Sequence, residues 1–389
     1  MALSESPAPR WSGGRAWPTA VDLFCGCGGV TAALKARHFR VVAAVDRDPV
    51  ACASFRSNHR SVKVYERDIA DVDPSEIRRI LGERDLDLLV VCSPCQPFSQ
   101  QNRSSPADTR AKLILSSVRF AEVLSPRLVL FENVPGLTRR RFALILTKLR
   151  SGLTKLGYVV GEPQELDAAD YGVPQRRLRF VMLARQGAAP PPLPEPTTPA
   201  GHRIDVISAI GDLPALSSGE ADADDPLHFA REHQAIALER LRHIPKNGGS
   251  RNVLPERLRL ECHRDRRGHP DVYGRMRWQD IAPTLTTGCT DVTRGRFVHP
   301  RDDRAISLRE AARLQTFPDT YRFAGSAKHI AAQIGNSVPI RFIEALTPVL
   351  RRALVAAGPD ADTYRDADSP EQVVPLAHTL STVTGVQGK

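Results

Sequence analysis

Between residues 17 and 185, short runs of β-branched and large apolar residues alternate with stretches of helical periodicity. No other feature restricts the fold of this chain so much. TAVDLF (19–24), RVVAAVD (40–46), VYERDI (64–69), DLDLLVVC (85–92), RLVLFENV (127–134) and LRFVMLA (178–184) have the composition of strands. Residues 31–37, 49–58, 74–81, 111–124 and 140–156 read as helices. A helix between successive strands makes those strands parallel. The expected fold class is therefore α/β, a doubly wound parallel sheet with helices on both faces. In such sheets ligands bind beyond the carboxyl ends of the strands, and the chemistry-bearing residues below fall at those ends.

The organisation outside this region is read from punctuation. Residues 1–19 are expected to be a loose leader and 20–186 the α/β domain. GAAPPPLPEPTTPAGHR (187–203) holds six prolines and reads as a stiff, extended linker. A less regular stretch rich in Arg, His and Gly (204–300) follows, then a return segment (301–334) with a helix at 307–316. A Gly/Asn turn is expected near Gly335, with residues 335–356 completing the α/β domain through a helix from Ile340, and 357–389 reading as a disordered tail. The N-terminus lacks the apolar core of a signal peptide, and the longest apolar runs, such as 86–92, are too short to cross a bilayer. Seven cysteines without framework spacing point to free thiols in a reducing cytoplasm. A net charge of +10 on 389 residues fits a polyanionic partner.

Four segments carry candidate chemistry. In VDLFCGCGGV (21–30) a strand ends at Phe24, and Gly26, Gly28 and Gly29 let the backbone turn tightly and approach a ligand. Asp46, 20 residues after Gly26, stands where nucleotide-binding sheets place a ribose carboxylate. The pattern is not GxGxxG, so a nucleoside fits better than a dinucleotide, and a glycine turn without a ligand stays open. Asp68 is either an adenine contact or an ordinary loop carboxylate. In VVCSPCQPFSQQN (90–102) an apolar strand runs into a cysteine flanked by Pro94 and Pro97, which aims Cys95 at the mouth of the sheet. Cys92 and Cys95 form a CxxC, but no second pair completes a zinc site, and Cys92 falls on the buried strand. In LVLFENVPGL (128–137) Glu132 reaches the same sheet edge, as a turn cap or as an acid whose pKa burial raises. In DYGVPQRRLRFVML (170–183) Arg177 and Arg179 are two apart and would share a strand face, in the site or at a solvated edge. No metal is expected: Cys262, His263, His269 and His299 lack paired spacing.

These four segments, with SLREAARLQTFPD (307–319) and QIGNSVP (333–339), resemble in order the motifs of the cytosine-5 DNA methyltransferase family. The resemblance covers nearly all of residues 20–185 and 280–350. It implies a Rossmann-like, S-adenosylmethionine-dependent methyltransferase sheet with a second, smaller target-recognition domain, and DNA in a basic cleft between them. It also implies a flipped cytosine, attack on C6 by Cys95, a proton held at N3 by Glu132, support from Arg179 and Arg177, and methyl transfer to C5. Phe24, Gly26, Gly28, Gly29, Asp46, Asp68, Ile69, Pro94, Leu113, Asn336 and Ser337 match the family's cofactor pocket. Ser99, Gln100, Arg275, Arg277 and Thr284 match DNA-contacting regions. The chain departs from the pattern at Asp46, where Glu is usual, at Arg47, often aromatic, and at Ser93, often Gly. A cognate restriction endonuclease as partner, a monomeric state and a cytoplasmic location follow as expectations. The rivals are a transfer-RNA cytosine-5 methyltransferase, which the long basic recognition region disfavours, and a non-catalytic DNA-binding protein, which the intact Cys95, Glu132 and Arg179 disfavour.

Overall fold

The computed structural model describes residues 17–94, 109–260 and 271–355. Its elements run β1 (Thr19–Leu23), α1 (Gly29–Ala36), β2 (Arg40–Asp46), α2 (Pro49–Asn58), β3 (Lys63–Glu66), α3 (Pro74–Leu81), β4 (Leu88–Val91), α4 (Ser116–Leu124), β5 (Leu128–Asn133), α5 (Ala143–Lys155), β6 (Tyr158–Val160), β7 (Gln164–Asp167) and β8 (Leu178–Gln186). There follow α6 (Val206–Ile210), α7 (Ala235–His243), α8 (Leu308–Leu314), α9 (Ala327–Asn336) and α10 (Ile340–Val355). Contacts divide the chain into two units, the first ending at Leu354. The segment expected to be a helix over 111–124 divides into a 3-10 stretch, Thr109–Leu115, and α4.

The strands form one sheet in the order β3-β2-β1-β4-β5-β8-β6, with β7 also paired to β8. The five strands from β3 to β5 are parallel, as the alternation required. β8 is antiparallel to β5, β6 and β7, so the sheet is mixed rather than wholly parallel. The reason lies in β6 and β7, short strands of three and four residues that no apolar run announced. They return the chain after α5 so that β8 enters from the opposite end. The start of β8 lies beside the carboxyl ends of the parallel strands, with Glu132 opposite Val181 and Asn133 opposite Phe180.

Strand periodicity sorts the core into two layers. Ala20, Leu88, Val90, Leu128 and Leu130 face α1 and the C-terminal helices through Leu34, Ala311, Ile334, Phe342 and Leu346. Val21, Leu89, Val91, Val129 and Phe131 face α3, α4 and α5 through Ile77, Phe120 and Leu153. β4 is buried along its whole length, as expected of a strand covered on both faces. A third, smaller apolar cluster gathers residues between 237 and 305, including Leu241, Leu254, Leu258, Val272 and Val298. The proline-rich segment has no regular element and is strapped along the 169–172 turn. Thr198 N–H donates to Asp170 O at 2.9 Å, Tyr171 Oη to Pro194 O at 3.0 Å, and Arg203 pairs with Asp170 at 2.7 Å.

The expected turn at Gly335 is not present. α9 runs through it to Asn336, and Ser337 caps the helix. The glycine serves a close approach instead: a Cβ there would lie 2.4 Å from Thr286 C and 2.6 Å from Thr287 N. No helix among the described residues is long and apolar enough to cross a membrane.

Candidate active site

The strand order reverses between β1 and β4, and a cavity of about 280 Å³ opens beyond their carboxyl ends. Its wall begins where β1 ends. Phe24 takes φ +63°, a left-handed conformation uncommon for a non-glycine residue, and Gly26 follows at φ +53°. Gly28, at φ +99°, caps α1 and holds the turn against α2, since a Cβ there would meet the His59 ring at 2.6 Å. At Gly29 a Cβ would stand 2.9 Å from Ser337 Oγ. Gly28 and Gly29 thus shape the turn without lining the cavity, whereas Phe24 and Gly26 line it.

Asp46 ends β2 and spans this turn: its Oδ2 accepts from Gly26 N–H at 2.8 Å and its Oδ1 from Asp48 N–H at 2.9 Å. Burial pushes its carboxyl above the usual range, and these backbone donors hold the rise back. Asp68 Oδ2 accepts from Arg47 Nη1 at 3.3 Å across the cavity rim, in a largely exposed pair. Ile69, Pro94 and Leu113 add wall, and α9 delivers Asn336, with Ser337 behind it.

At the floor, Glu132 and Arg179 meet. Arg179 Nε lies 2.7 Å from Glu132 Oε1, the two side chains being 7% and 6% exposed. Arg179 Nη1 also donates to Leu178 O at 2.8 Å. Burial raises the Glu132 carboxyl above its ordinary value, while the Arg179 and Arg177 charges oppose the rise. Cys92 lies one residue past β4, half-buried in the cavity wall, not on the buried strand. Ser93 is fastened to the end of β5: Asn133 Nδ2 donates to both Ser93 O and Ser93 Oγ at 3.0 Å. Cys95, Ser99 and Gln100 lie outside the described residues.

Two expectations need correction. Arg177 does not enter the cavity with Arg179, because it precedes β8 and its side chain turns elsewhere. Its Nη1 donates to Leu285 O at 3.0 Å and its Nη2 to Gly335 O and Ser337 O at 2.8 and 3.0 Å, so it is a buried clamp on backbone carbonyls. Arg275 is fully buried and is no DNA contact. Its Nε donates to Ile244 O, its Nη1 to His299 O and Asp302 O, and its Nη2 to Leu241 O and the Asp303 carboxylate, which engages every N–H it has. Arginine-rich composition could not tell these structural roles from ligand contacts. Arg277 and Thr284 are exposed, and Thr284 Oγ1 donates to Arg176 O at 2.6 Å.

Sequence reasoning also missed Gln333. It lines the cavity and accepts from Ser54 Oγ at 2.5 Å, tying α9 to α2; it opens the QIGNSVP segment, from which the resemblance assigns only Asn336 and Ser337 to the pocket. Among the described residues no cluster of three or more His, Cys, Asp or Glu is placed to hold a metal. His299 lies 2% exposed, its Nδ1 accepting from Asp302 N–H at 2.9 Å; Cys262, His263 and His269 are outside the described residues.

Residues 19–352 match the C-5 cytosine-specific DNA methylase family. The chain is 37% identical to the type II methylase M.HgiDII of Herpetosiphon aurantiacus over 86% of its own length and 95% of that protein. It is 34% identical to the type II methyltransferase M.XorII of Xanthomonas oryzae, covering 87% and 85%. Among solved structures, Spodoptera frugiperda DNMT2 superposes with a TM-score of 0.60 at 18% identity, over 86% of this chain and 99% of that one, a likeness of fold.

Proposed function

This chain belongs to the C-5 cytosine-specific DNA methylases, and on that premise we propose how its residues divide the work of methylating cytosine in DNA. The family takes its methyl group from S-adenosylmethionine, and the residues at the strand ends fit that donor. Gly26 lines the cavity with no atom within 4 Å of where a Cβ would stand, so the backbone there is open to a ligand. Asp46 is the carboxylate for ribose hydroxyls, Asp68 and Ile69 flank the base, and Phe24, Pro94, Leu113, Asn336 and Ser337 close around the remainder. Bound there, S-adenosylmethionine supplies an electrophilic methyl group on a sulfonium.

The chain's own chemistry makes C5 of cytosine nucleophilic. The Cys95 thiolate, one residue beyond Pro94 of the cavity wall, forms a bond to C6 of a cytosine turned out of the duplex. Glu132 holds a proton at N3, which neutralises charge on the ring as sulfur adds. Arg179 fixes Glu132 in place and balances its charge when the proton is given up. After C5 has been methylated, loss of its proton restores the double bond and expels the Cys95 sulfur. The observation that carries this reading is the meeting of a buried carboxyl of raised pKa, its arginine and a nucleoside-type carboxylate around one cavity.

Arg277, Thr284, Ser99 and Gln100 are the proposed DNA contacts, within a recognition region spanning about 204–300. Type II relatives support a sequence-specific modification role with a cognate endonuclease as partner. Bisulfite sequencing of DNA from a host expressing the chain tests this. Protected cytosines should fall within one short recurring sequence, and an unmodified or randomly modified genome refutes it.

A further inference from the structure

A second cleft, of about 700 Å³, lies against the far side of α9 from the cofactor cavity. Ala327, Lys328 and Ala331 line it, while Ala332, Gln333 and Asn336, turned away by the helical period, line the first. Its opposite wall is the segment Thr286–Arg294, continuous with Leu285, which Arg177 clamps. The cleft holds Arg231, Arg294 and Lys328 against one acid, Asp291. That acid is already matched: Arg231 lies 3.1 Å away, and Thr293 N–H and Oγ1 donate to its other oxygen at 2.9 and 2.7 Å. Arg294 and Lys328 are exposed, and neither side chain makes a hydrogen bond or ion pair within 4 Å among the described residues, although the Arg294 charge, with that of Arg231, helps to hold the Asp291 carboxyl below its ordinary value. The Thr287 and Thr290 hydroxyls also line the cleft. Three cations against one acid leave the concavity net positive, and with neutral hydroxyl donors beside them it suits successive singly charged oxyanions contacted by charge and hydrogen bond together.

We propose that this cleft takes the phosphodiester backbone of the DNA substrate beside the target base, with Arg294 and Lys328 each contacting one phosphate. The assignment rests on the reading of the chain as a DNA methylase. DNA is favoured over a free anion because the cleft wall runs directly into the Thr284-Leu285 segment, and because a polymer can reach both sides of α9 at once.

The test is a salt titration of affinity for a DNA duplex, by fluorescence anisotropy, for wild type and Arg294→Ala/Lys328→Ala. Each phosphate contact contributes about 0.9 to the slope of log affinity against log salt. The double variant should therefore lose about 1.8 of slope. Its deficit relative to wild type should shrink about 12-fold between about 50 and about 200 mM salt. S-adenosylmethionine affinity should be unchanged, which controls for folding, and Arg294→Lys/Lys328→Arg should restore the slope. Inorganic phosphate at constant ionic strength should not compete with DNA. An unchanged slope, failure of the charge-conserving variant, or competition by phosphate in wild type but not in the double variant overturns the assignment. A wild type that binds no DNA at all would instead defeat the functional reading beneath it.

Discussion

Replacing Glu132 by Gln probes the pair at the centre of the cavity. Glu132 and Arg179 are almost wholly buried, 2.7 Å apart, and burial raises the carboxyl pKa despite the adjacent guanidinium. More of it is therefore protonated near neutral pH than an exposed Glu would be. Gln keeps the size and an acceptor oxygen for Arg179 Nε but has no proton to transfer. Positioned acid catalysis contributes roughly 10²–10⁴-fold, or about 3–5 kcal/mol of barrier. Removing one partner of a buried ion pair costs about 3–5 kcal/mol of stability, and the retained acceptor should keep this variant at or below the low end. Single-turnover methyl transfer from labelled S-adenosylmethionine, followed across pH beside thermal unfolding, measures both. The proposed acid acts in its protonated form. Wild-type rate should fall as pH rises through the raised Glu132 pKa, and the variant should lack that limb. A variant within about threefold of wild type, with the same pH profile, would show that Glu132 is not the acid.

Asp46→Ala should weaken S-adenosylmethionine binding about ten- to a hundred-fold by calorimetric titration while sparing DNA binding, because a charge-assisted hydrogen bond contributes roughly 1.5–3 kcal/mol. Asp22 is fully buried beneath the β1 turn, bonded to Thr31 Oγ1 at 2.7 Å, and burial lifts its pKa from 3.8 to about 7. Its stabilising contribution is whole below pH 3.8 and lost as pH rises toward 7, a fall of up to about 4 kcal/mol. Asp22→Asn should remove that slope, so denaturant unfolding at pH 5 and pH 8 should show the variant gaining on wild type at the higher pH. Arg304 is fully buried, paired with Glu310 Oε1 and Asp302 at 2.8 and 2.9 Å, so Arg304→Ala should lower the melting temperature by on the order of 10 °C. Arg275→Ala should likewise destabilise the fold, with no change in the salt dependence of DNA binding among molecules that remain folded.

What could be read beforehand followed from local patterning. β2, α2 and α3 fall where the residues indicated, because Asp48-Pro49 and Asp73-Pro74 each place a capping carboxylate and a proline at a helix start. The parallel half of the sheet followed from alternation alone. The antiparallel return did not, since β6 and β7 are too short and too polar to stand out. In the site, residues at strand ends were legible: Asp46, Glu132 and Arg179 line one cavity. The arginines were not. Arg177, Arg179 and Arg275 lie in similarly basic sequence, yet one clamps backbone carbonyls, one pairs with a buried carboxylate and one fills the interior of the 237–305 cluster region. Which of these an arginine does depends on the carbonyls that tertiary packing brings to it. Cys92 was displaced from expectation by a single residue, because β4 ends at Val91 and the chain turns into the cavity wall.

The central claim, attack on C6 by Cys95, is tested most directly with duplex DNA carrying 5-fluorocytosine at the methylated position. Fluorine leaves no C5 proton to lose, so the Cys95–C6 bond formed during methyl transfer should persist. Wild type with S-adenosylmethionine should give a protein–DNA adduct that survives denaturing electrophoresis, and peptide mapping should place the cross-link on Cys95. Cys95→Ser should bind the cofactor normally and give no adduct, and Cys92→Ala should still give one. An adduct that persists in Cys95→Ser, or one that maps to Cys92, would contradict the mechanism.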